Sequence, residues 1–165
     1  MIFQIRNLDN KYSLCKTVAG YSWKWISKGI KGYENVVDQG KEDIKIGQYK
    51  YVWNMTNEEF ILSTNAINEI GCVHTLQGYD LNYVGIIIGE EIDYNPNINR
   101  IEINLDKFYD KYVKQGCDEK TVEKYIINSY KVIMSRGIKG CYVYACNKNM
   151  HNYLSKFISK YDEVL

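Results

Sequence analysis

The polar segment HTLQGYD, residues 74–80, contains the side chains of this chain that are best suited to binding a ligand. Thr75 offers a hydroxyl beside a backbone N–H, a pair that can hold a phosphate oxygen. Gly78 lets a ligand approach the backbone closely, and Gln77 and Asp80 can hydrogen-bond sugar hydroxyls or connect two binding sites. Each residue taken alone is better explained by an ordinary turn with a capping threonine. The whole string, placed between two apolar segments, favours a ligand-binding turn.

Arg136 is the second candidate, because it ends a predicted helix shortly before a predicted apolar strand. A guanidinium at the end of a sheet can bind a γ-phosphate with two hydrogen bonds and stabilise the charge that develops in phosphoryl transfer. The alternative, favoured for the arginine alone, is that it neutralises the dipole of its own helix. Together with residues 74–80, the phosphate interpretation is favoured. We expect Thr75, Gln77 and Arg136 to converge at the carboxyl end of the sheet, as one wall of a cleft.

A third candidate is the aromatic segment AGYSWKW, residues 19–25. In an extended segment Tyr21, Trp23 and Trp25 share one face, and Lys24 lies on the other. Aromatic faces beside lysines can stack nucleic-acid bases and follow the phosphates. The alternative, slightly favoured, is that the aromatic rings cover one end of the core and the lysines are solvated.

Other reactive residues form no recognisable site. The two histidines, His74 and His151, have no partner at metal-ligand spacing. The five cysteines lack the paired spacing of zinc sites and are expected to be buried free thiols, with Cys141 and Cys146 inside a buried strand. The acidic pairs at 58–59 and 90–91 are expected to be solvated.

The strongest helix signal begins at Asp118, a candidate N-cap, and continues with Glu119 in the first turn. Its apolar residues recur every three to four positions. They are Val122, Ile126, Tyr130 and Ile133. We expect this helix to reach about Ser135 and to stop at Gly137. A last helix is expected after Asn147. Its inward residues are predicted to be Met150, Leu154, Phe157 and Ile158.

Strands are predicted between these helices and before them. The predicted strands are 13–19, 49–53, 70–75, 83–88, 101–103 and 140–147, with a loop or hairpin at 29–47 and a turn at 93–99. Strand, turn, strand, long helix, strand and helix is an α/β pattern with a mainly parallel sheet flanked by helices.

Length and composition indicate one soluble globular domain. The chain has 165 residues, of which 45% are hydrophobic and 25% are charged, values typical of folded domains. Its net charge of +1 provides no global attraction for a polyanion, so nucleic-acid binding would need local patches. The N-terminus has no signal-peptide pattern, and the longest apolar run, at 84–88, is too short to span a bilayer. We expect a cytoplasmic protein without a membrane partner.

Four segments, taken in order, resemble the C-terminal part of the Schlafen group 3-like DNA/RNA helicase domains of bacteria, which are sometimes fused to a GIY-YIG nuclease. The segments are AGYSWKW, WNMTNEEF, NAINEIGCVHTLQGYDLNYVGIIIG and SRGIKGCYVYAC. The similarity extends from about Cys15 to Cys146. It implies that residues 1–165 form a single domain, the second RecA-like (P-loop NTPase-type) domain of a superfamily-one helicase.

The resemblance also implies roles for individual residues. In motif V, Thr75 would contact the nucleic-acid backbone. Gln77, Gly78 and Asp80 would face the nucleotide. In motif VI, Arg136 would be the arginine finger. Asp80 stands where many superfamily-one proteins have a glutamate, which shortens its reach to a ribose hydroxyl.

The sequence contains no G-x-x-x-x-G-K-[ST] phosphate loop and no strand that ends in Asp-Glu. ATP and Mg²⁺ are therefore expected only in a full-length protein, whose first RecA-like domain would be the partner of this chain. Because phosphoryl transfer needs groups on both sides of the nucleotide, we expect no bound cofactor and negligible ATPase activity in the isolated chain.

Two functional classes remain open. The first is half of an ATP-driven helicase or translocase that acts on DNA or RNA, with a single strand expected. The second is a catalytically inert module that binds nucleic acid or protein, in which Trp23 and Lys24 would matter and Arg136 would not. A nucleotide pocket inferred from the fold alone ranks last.

Overall fold

The centre of the fold is a parallel three-stranded sheet, seen in a computed structural model that describes residues 1–56, 59–63 and 65–161. Its strands are β1 (Cys15–Ala19), β4 (Leu81–Ile88) and β7 (Gly137–Ala145), in the order β1-β4-β7. The register pairs Cys15 with Tyr83 and Leu81 with Gly137. The predicted α/β fold with a parallel sheet flanked by helices is confirmed.

The remaining elements surround this sheet. The helices are α1 (Ile2–Tyr12), α2 (Tyr33–Asp38), α3 (Lys111–Gly116), α4 (Glu119–Met134) and α5 (Lys148–Leu154). Two antiparallel hairpins are formed by β2 (Ile44–Ile46) with β3 (Tyr49–Tyr51), and by β5 (Ile92–Asn95) with β6 (Arg100–Ile103). No helix in the described part of the chain is long and apolar enough to cross a membrane.

Helix α4 forms where its apolar spacing predicts it. Asp118 caps it by accepting a hydrogen bond from the Thr121 N–H at 3.1 Å. Its apolar stripe is buried against the side chains of β4 that point to the same face. The packed residues are Val122, Ile126, Tyr130, Ile133, Val84, Ile86 and Ile88. This helix therefore fixes the position of whatever follows its last turn.

Helix α1 covers the opposite face of β4 and was not predicted from the sequence. Gly85 alternates with the residues that face α4, and a Cβ added to it would lie 2.7 Å from Ile5 Cγ1. The apolar spacing of α1 is weak, with Ile5 as its buried residue. Tertiary contacts, among them the close approach to Gly85 and the Lys16–Asp9 ion pair, hold this helix on the sheet in place of a strong local signal.

Several predicted elements differ in the structure. The expected strand at 70–75 consists of isolated bridges from Ile70 and Gly71, followed by a short 3-10 helix over His74–Leu76. The expected loop or hairpin at 29–47 contains α2, which was not predicted, and β2, which does form a hairpin with β3. Part of the expected turn at 93–99 is β5. Gly137 begins β7 instead of closing α4.

The C-terminal elements are more open than expected. Strand β7 lies at the outer side of the sheet and ends at Ala145, so Cys141 is exposed and Cys146 lies beyond the strand and is half-buried. The prediction that both cysteines lie inside a buried strand is wrong. Helix α5 ends at Leu154, and Phe157 beyond it is 72% exposed. Of the expected solvated acids, Glu58 lies outside the described residues.

Candidate functional site

Asp80 and Arg136 meet at the amino end of the parallel sheet. Asp80 directly precedes β4 and Arg136 directly precedes β7, and parallel neighbours begin at the same end. The Leu81 N–H donates to the Arg136 carbonyl at 2.8 Å, and Arg136 Nη1 lies 3.5 Å from Asp80 Oδ1. The expectation that Arg136 lies at the carboxyl end is wrong, because it precedes its strand instead of following it.

The Arg136 guanidinium is only partly used by the protein. Its side chain is 30% exposed and that of Asp80 is 63% exposed. A contact of 3.5 Å is longer than an ordinary charge-assisted hydrogen bond, and an exposed pair of this kind contributes at most about 1 kcal/mol. Arg136 Nε is buried and has no hydrogen-bond partner among the residues that the structure describes. Because Nε is buried, an anionic ligand would bind this guanidinium through its Nη nitrogens.

Thr75 is occupied within its own turn. It is 6% exposed, and its hydroxyl donates to the Cys72 carbonyl at 2.9 Å while accepting from the Cys72 N–H at 3.0 Å. Gly71 packs against it, since an added Cβ would lie 2.8 Å from Thr75 Oγ1. In this conformation the hydroxyl shapes the turn and does not reach the surface.

Gln77 and Gly78 form the open part of the same segment, together with Asp80. Gly78 has φ +84°, a conformation that residues other than glycine rarely adopt, and no atom lies within 4 Å of a Cβ added there. The turn thus presents Gln77 and Gly78 to solvent, followed by the carboxylate that contacts Arg136. Asp80 and Arg136 are in contact, and we call this pair the amino-end site; Gln77 and Gly78 are exposed shortly before it in the chain.

Trp23 and Lys24 lie at the other end of the sheet. They follow β1, and β4 is eight residues long, so roughly 25 Å separates them from the amino-end site. Lys24 Nζ lies 5.8 Å from the centre of the Tyr109 ring. The structure therefore does not bring Trp23 or Lys24 together with Arg136.

Trp23 lines a cavity of about 390 Å³ at this carboxyl end. The cavity is lined by Ser22, Trp23, Lys45, Ile46, Gly47, Glu90, Lys107, Tyr109, Tyr144 and Cys146. Lys107 Nζ pairs with Glu90 at 2.9 Å. The other aromatic residues of the segment are structural, because Tyr21 and Trp25 both pack against the buried Trp53 ring at 5.0 and 6.3 Å. We call this cavity the carboxyl-end pocket.

Glu91 is a buried acid that sequence reasoning placed in solvent. It is 0% exposed, and the Tyr130 hydroxyl donates to Glu91 Oε1 at 2.5 Å. Burial raises the pKa of the Glu91 carboxyl above its ordinary value. The prediction that Glu91 is solvated is wrong, because the turn after β4 places Glu91 beneath α4, in contact with Tyr130. A signal was available, since Tyr130 occupies a buried position of α4 and its hydroxyl needs a partner.

Two other buried charged residues have structural contacts. Asp43 accepts hydrogen bonds from the Ser27 N–H and hydroxyl, both at 2.8 Å, and from the Trp53 N–H at 3.0 Å. Lys16 pairs with Asp9 at 3.1 Å and ties β1 to α1. Each group is satisfied by protein partners, so neither is a candidate for ligand binding.

Comparison with known proteins places the chain in a family. A family model described as Schlafen group 3, DNA/RNA helicase domain, matches residues 1–147. An uncharacterized protein of Saccharomyces cerevisiae is 27% identical over 161 residues, which cover 91% of the chain and 33% of that protein. The chain thus spans about a third of this relative, and the similarity is not confined to bacteria. No solved structure matches the chain.

Proposed function

The chain belongs to the Schlafen group 3 DNA/RNA helicase domain family, and from that membership we propose that it is the second RecA-like half of a superfamily-one ATPase. In this role residues 74–80 act as motif V, and the end of α4 with Arg136 acts as motif VI. The other half, a first RecA-like domain, would supply the phosphate loop. The complete protein would use ATP to move along or separate DNA or RNA.

The observation that carries this proposal is that Asp80 makes a single long contact, at 3.5 Å, with a guanidinium whose side chain is 30% exposed. A fork of N–H donors matches the oxygens of a terminal phosphate and can bind two of them together. Asp80 contacts this guanidinium, and Gln77 and Gly78 are exposed in the turn just before it, where a nucleotide held by a second domain would reach them. Thr75 would support the nucleic-acid contact by shaping the turn.

The proposed division of labour follows from the chemistry of phosphoryl transfer. Catalysis depends on positioning and on positive charge placed around the transferred phosphate from both sides. The proposal therefore assigns the Mg²⁺ ligands and the phosphate cradle to the other half, and the charge at the γ-phosphate to Arg136.

The test uses a longer protein in which this domain is joined to a phosphate-loop domain. Arg136→Ala should lower kcat for ATP hydrolysis by about 10³-fold or more, the usual effect of losing an arginine finger, while the Kd for ATP changes only a few-fold. The matched control is Arg100→Ala, an exposed arginine on β6. Equal rates for the two variants would contradict the proposal.

A catalytically inert binding module is the second candidate, and the carboxyl-end pocket favours it. Aromatic walls from Trp23, Tyr109 and Tyr144, with Lys24 and Lys45 nearby, suit a stacked base and its phosphate. This function predicts salt-sensitive binding of a single-stranded oligonucleotide that does not depend on nucleotide.

Fluorescence anisotropy with labelled single strands distinguishes this second candidate from the first. Trp23→Ala should weaken binding by about tenfold, the loss expected for one stacked base, and Lys24→Ala should reduce the salt dependence. Arg136→Ala should leave the affinity unchanged if the chain is only a binding module. Unchanged affinity in the Trp23 and Lys24 variants would exclude this pocket as the binding site.

A further inference from the structure

We infer that Asp80 is the resting partner of Arg136, and that a polyphosphate ligand must displace its carboxylate before the guanidinium can bind the phosphate. The inference rests on the proposed function, because it concerns the same amino-end site. It adds a second role to Asp80, which then positions Arg136 in the empty domain and lowers its affinity for anions.

The backbone keeps the two residues together whichever way their side chains turn. The hydrogen bond from Leu81 N to the Arg136 carbonyl joins the residue after Asp80 to Arg136 itself. Leu81 is also paired with Gly137 in the sheet register. The pairing of β4 with β7 therefore keeps the backbones of Asp80 and Arg136 adjacent. Only their side chains need to move for the ion pair to open.

The ion pair between Asp80 and Arg136 is weak enough to open readily. It consists of one contact at 3.5 Å, between Nη1 and a single carboxylate oxygen, and both side chains reach solvent. It does not use the two-pronged geometry that makes arginine–carboxylate pairs strong. Nε has no partner in the described part of the chain while Asp80 occupies Nη1. The guanidinium is thus held by a weak partner on one side and is unsatisfied on another.

A polyphosphate is a stronger partner than this carboxylate. It carries several negative charges and can accept hydrogen bonds from two guanidinium nitrogens at once. Replacement of the Asp80 carboxylate by the polyphosphate is therefore favourable. The affinity for the ligand is lowered by the free energy that is needed to open the ion pair. Because an exposed ion pair is weak, the reduction should be about two- to fivefold in affinity.

The test measures binding of inorganic tripolyphosphate to the 165-residue chain by isothermal titration calorimetry or NMR titration. Asp80→Asn should raise the affinity about two- to fivefold over the wild type. The matched control is Asp106→Asn, which makes the same change in net charge near the carboxyl ends of the strands. It should change the affinity by less than about 1.5-fold, since long-range charge effects are screened by salt. Circular dichroism establishes that each variant is folded.

A double-mutant cycle assigns any gain to the ion pair. In the Arg136→Ala background, Asp80→Asn should no longer increase the affinity for tripolyphosphate. The inference is overturned if Asp80→Asn gains no more than Asp106→Asn, or if its gain survives without Arg136. If Arg136→Ala weakens binding but Asp80→Asn brings no gain, the phosphate role of Arg136 stands and only the inference fails. If neither variant changes binding, both fail.

Discussion

At the scale of single residues, side chains for which the sequence predicts the same role differ in their burial and in their hydrogen-bond partners. Glu90 and Glu91 are adjacent acids, yet Glu90 is exposed and pairs with Lys107, whereas Glu91 is enclosed and pairs with Tyr130. The same contrast divides Thr75, whose hydroxyl is consumed by its turn, from Gln77, which faces solvent. Residue type alone suggested a function for both members of the second pair.

Glu91→Gln tests the effect of this burial on stability. Because burial raises the pKa of Glu91 in the folded state, the neutral acid is favoured by folding. Its stabilising contribution is complete below the ordinary pKa of 4.5 and is lost as the pH rises through the folded-state value. Between about pH 5 and pH 8, the free energy of unfolding of Glu91→Gln should therefore increase relative to that of the wild type as the pH rises.

Urea denaturation across this pH range measures the difference. Glu90→Gln is the matched control, because it alters the adjacent carboxylate, which is exposed. Its difference from wild type should vary little with pH. A Glu91→Gln difference as flat as that of the control would show that the buried carboxyl does not control the pH dependence of stability.

At the scale of elements, strong local patterns gave correct predictions and weak ones did not. The spacing of apolar residues in α4 and the cap at Asp118 predicted that helix closely, and the apolar run of β4 predicted the central strand. Helix α1 was not predicted, because its burial depends mainly on Ile5 and on Gly85, which is far along the chain. The segment 70–75 is apolar enough for a strand, but Thr75 folds it back onto Cys72.

Gly85→Ala tests the packing of α1 on the sheet. The added methyl group would lie 2.7 Å from Ile5 Cγ1, so helix or strand must shift, at a cost of about 1–3 kcal/mol in free energy of unfolding. Gly116→Ala is the control, because nothing lies within 4 Å of a Cβ there. It should be neutral or slightly stabilising. Chemical denaturation of both variants measures this, and equal stability would show that α1 does not depend on the close approach.

At the scale of the whole molecule, the two candidate sites lie at opposite ends of one parallel sheet. The amino-end site holds Arg136 and Asp80, and the carboxyl-end pocket holds Trp23 and is flanked by Lys24. Strand β4 connects the two ends as a single buried element, and α4 runs beside it.

The isolated chain should show negligible ATPase activity, because it supplies groups for only one side of the nucleotide. Steady-state phosphate release, measured with Mg²⁺ and ATP, should equal the background without protein. Steady release that is lost on Arg136→Ala would contradict the proposed division between two halves. The same assay after addition of a phosphate-loop domain serves as the positive comparison.

The sequence by itself determined the central strand, the long helix and its cap. These features depend on contacts between near neighbours in the chain, which spacing and residue type record. Only the tertiary structure decided that Arg136 meets Asp80 at the amino end, that Glu91 is buried, and that Thr75 is occupied. Those outcomes depend on which distant segments pack together, and no local pattern specifies that.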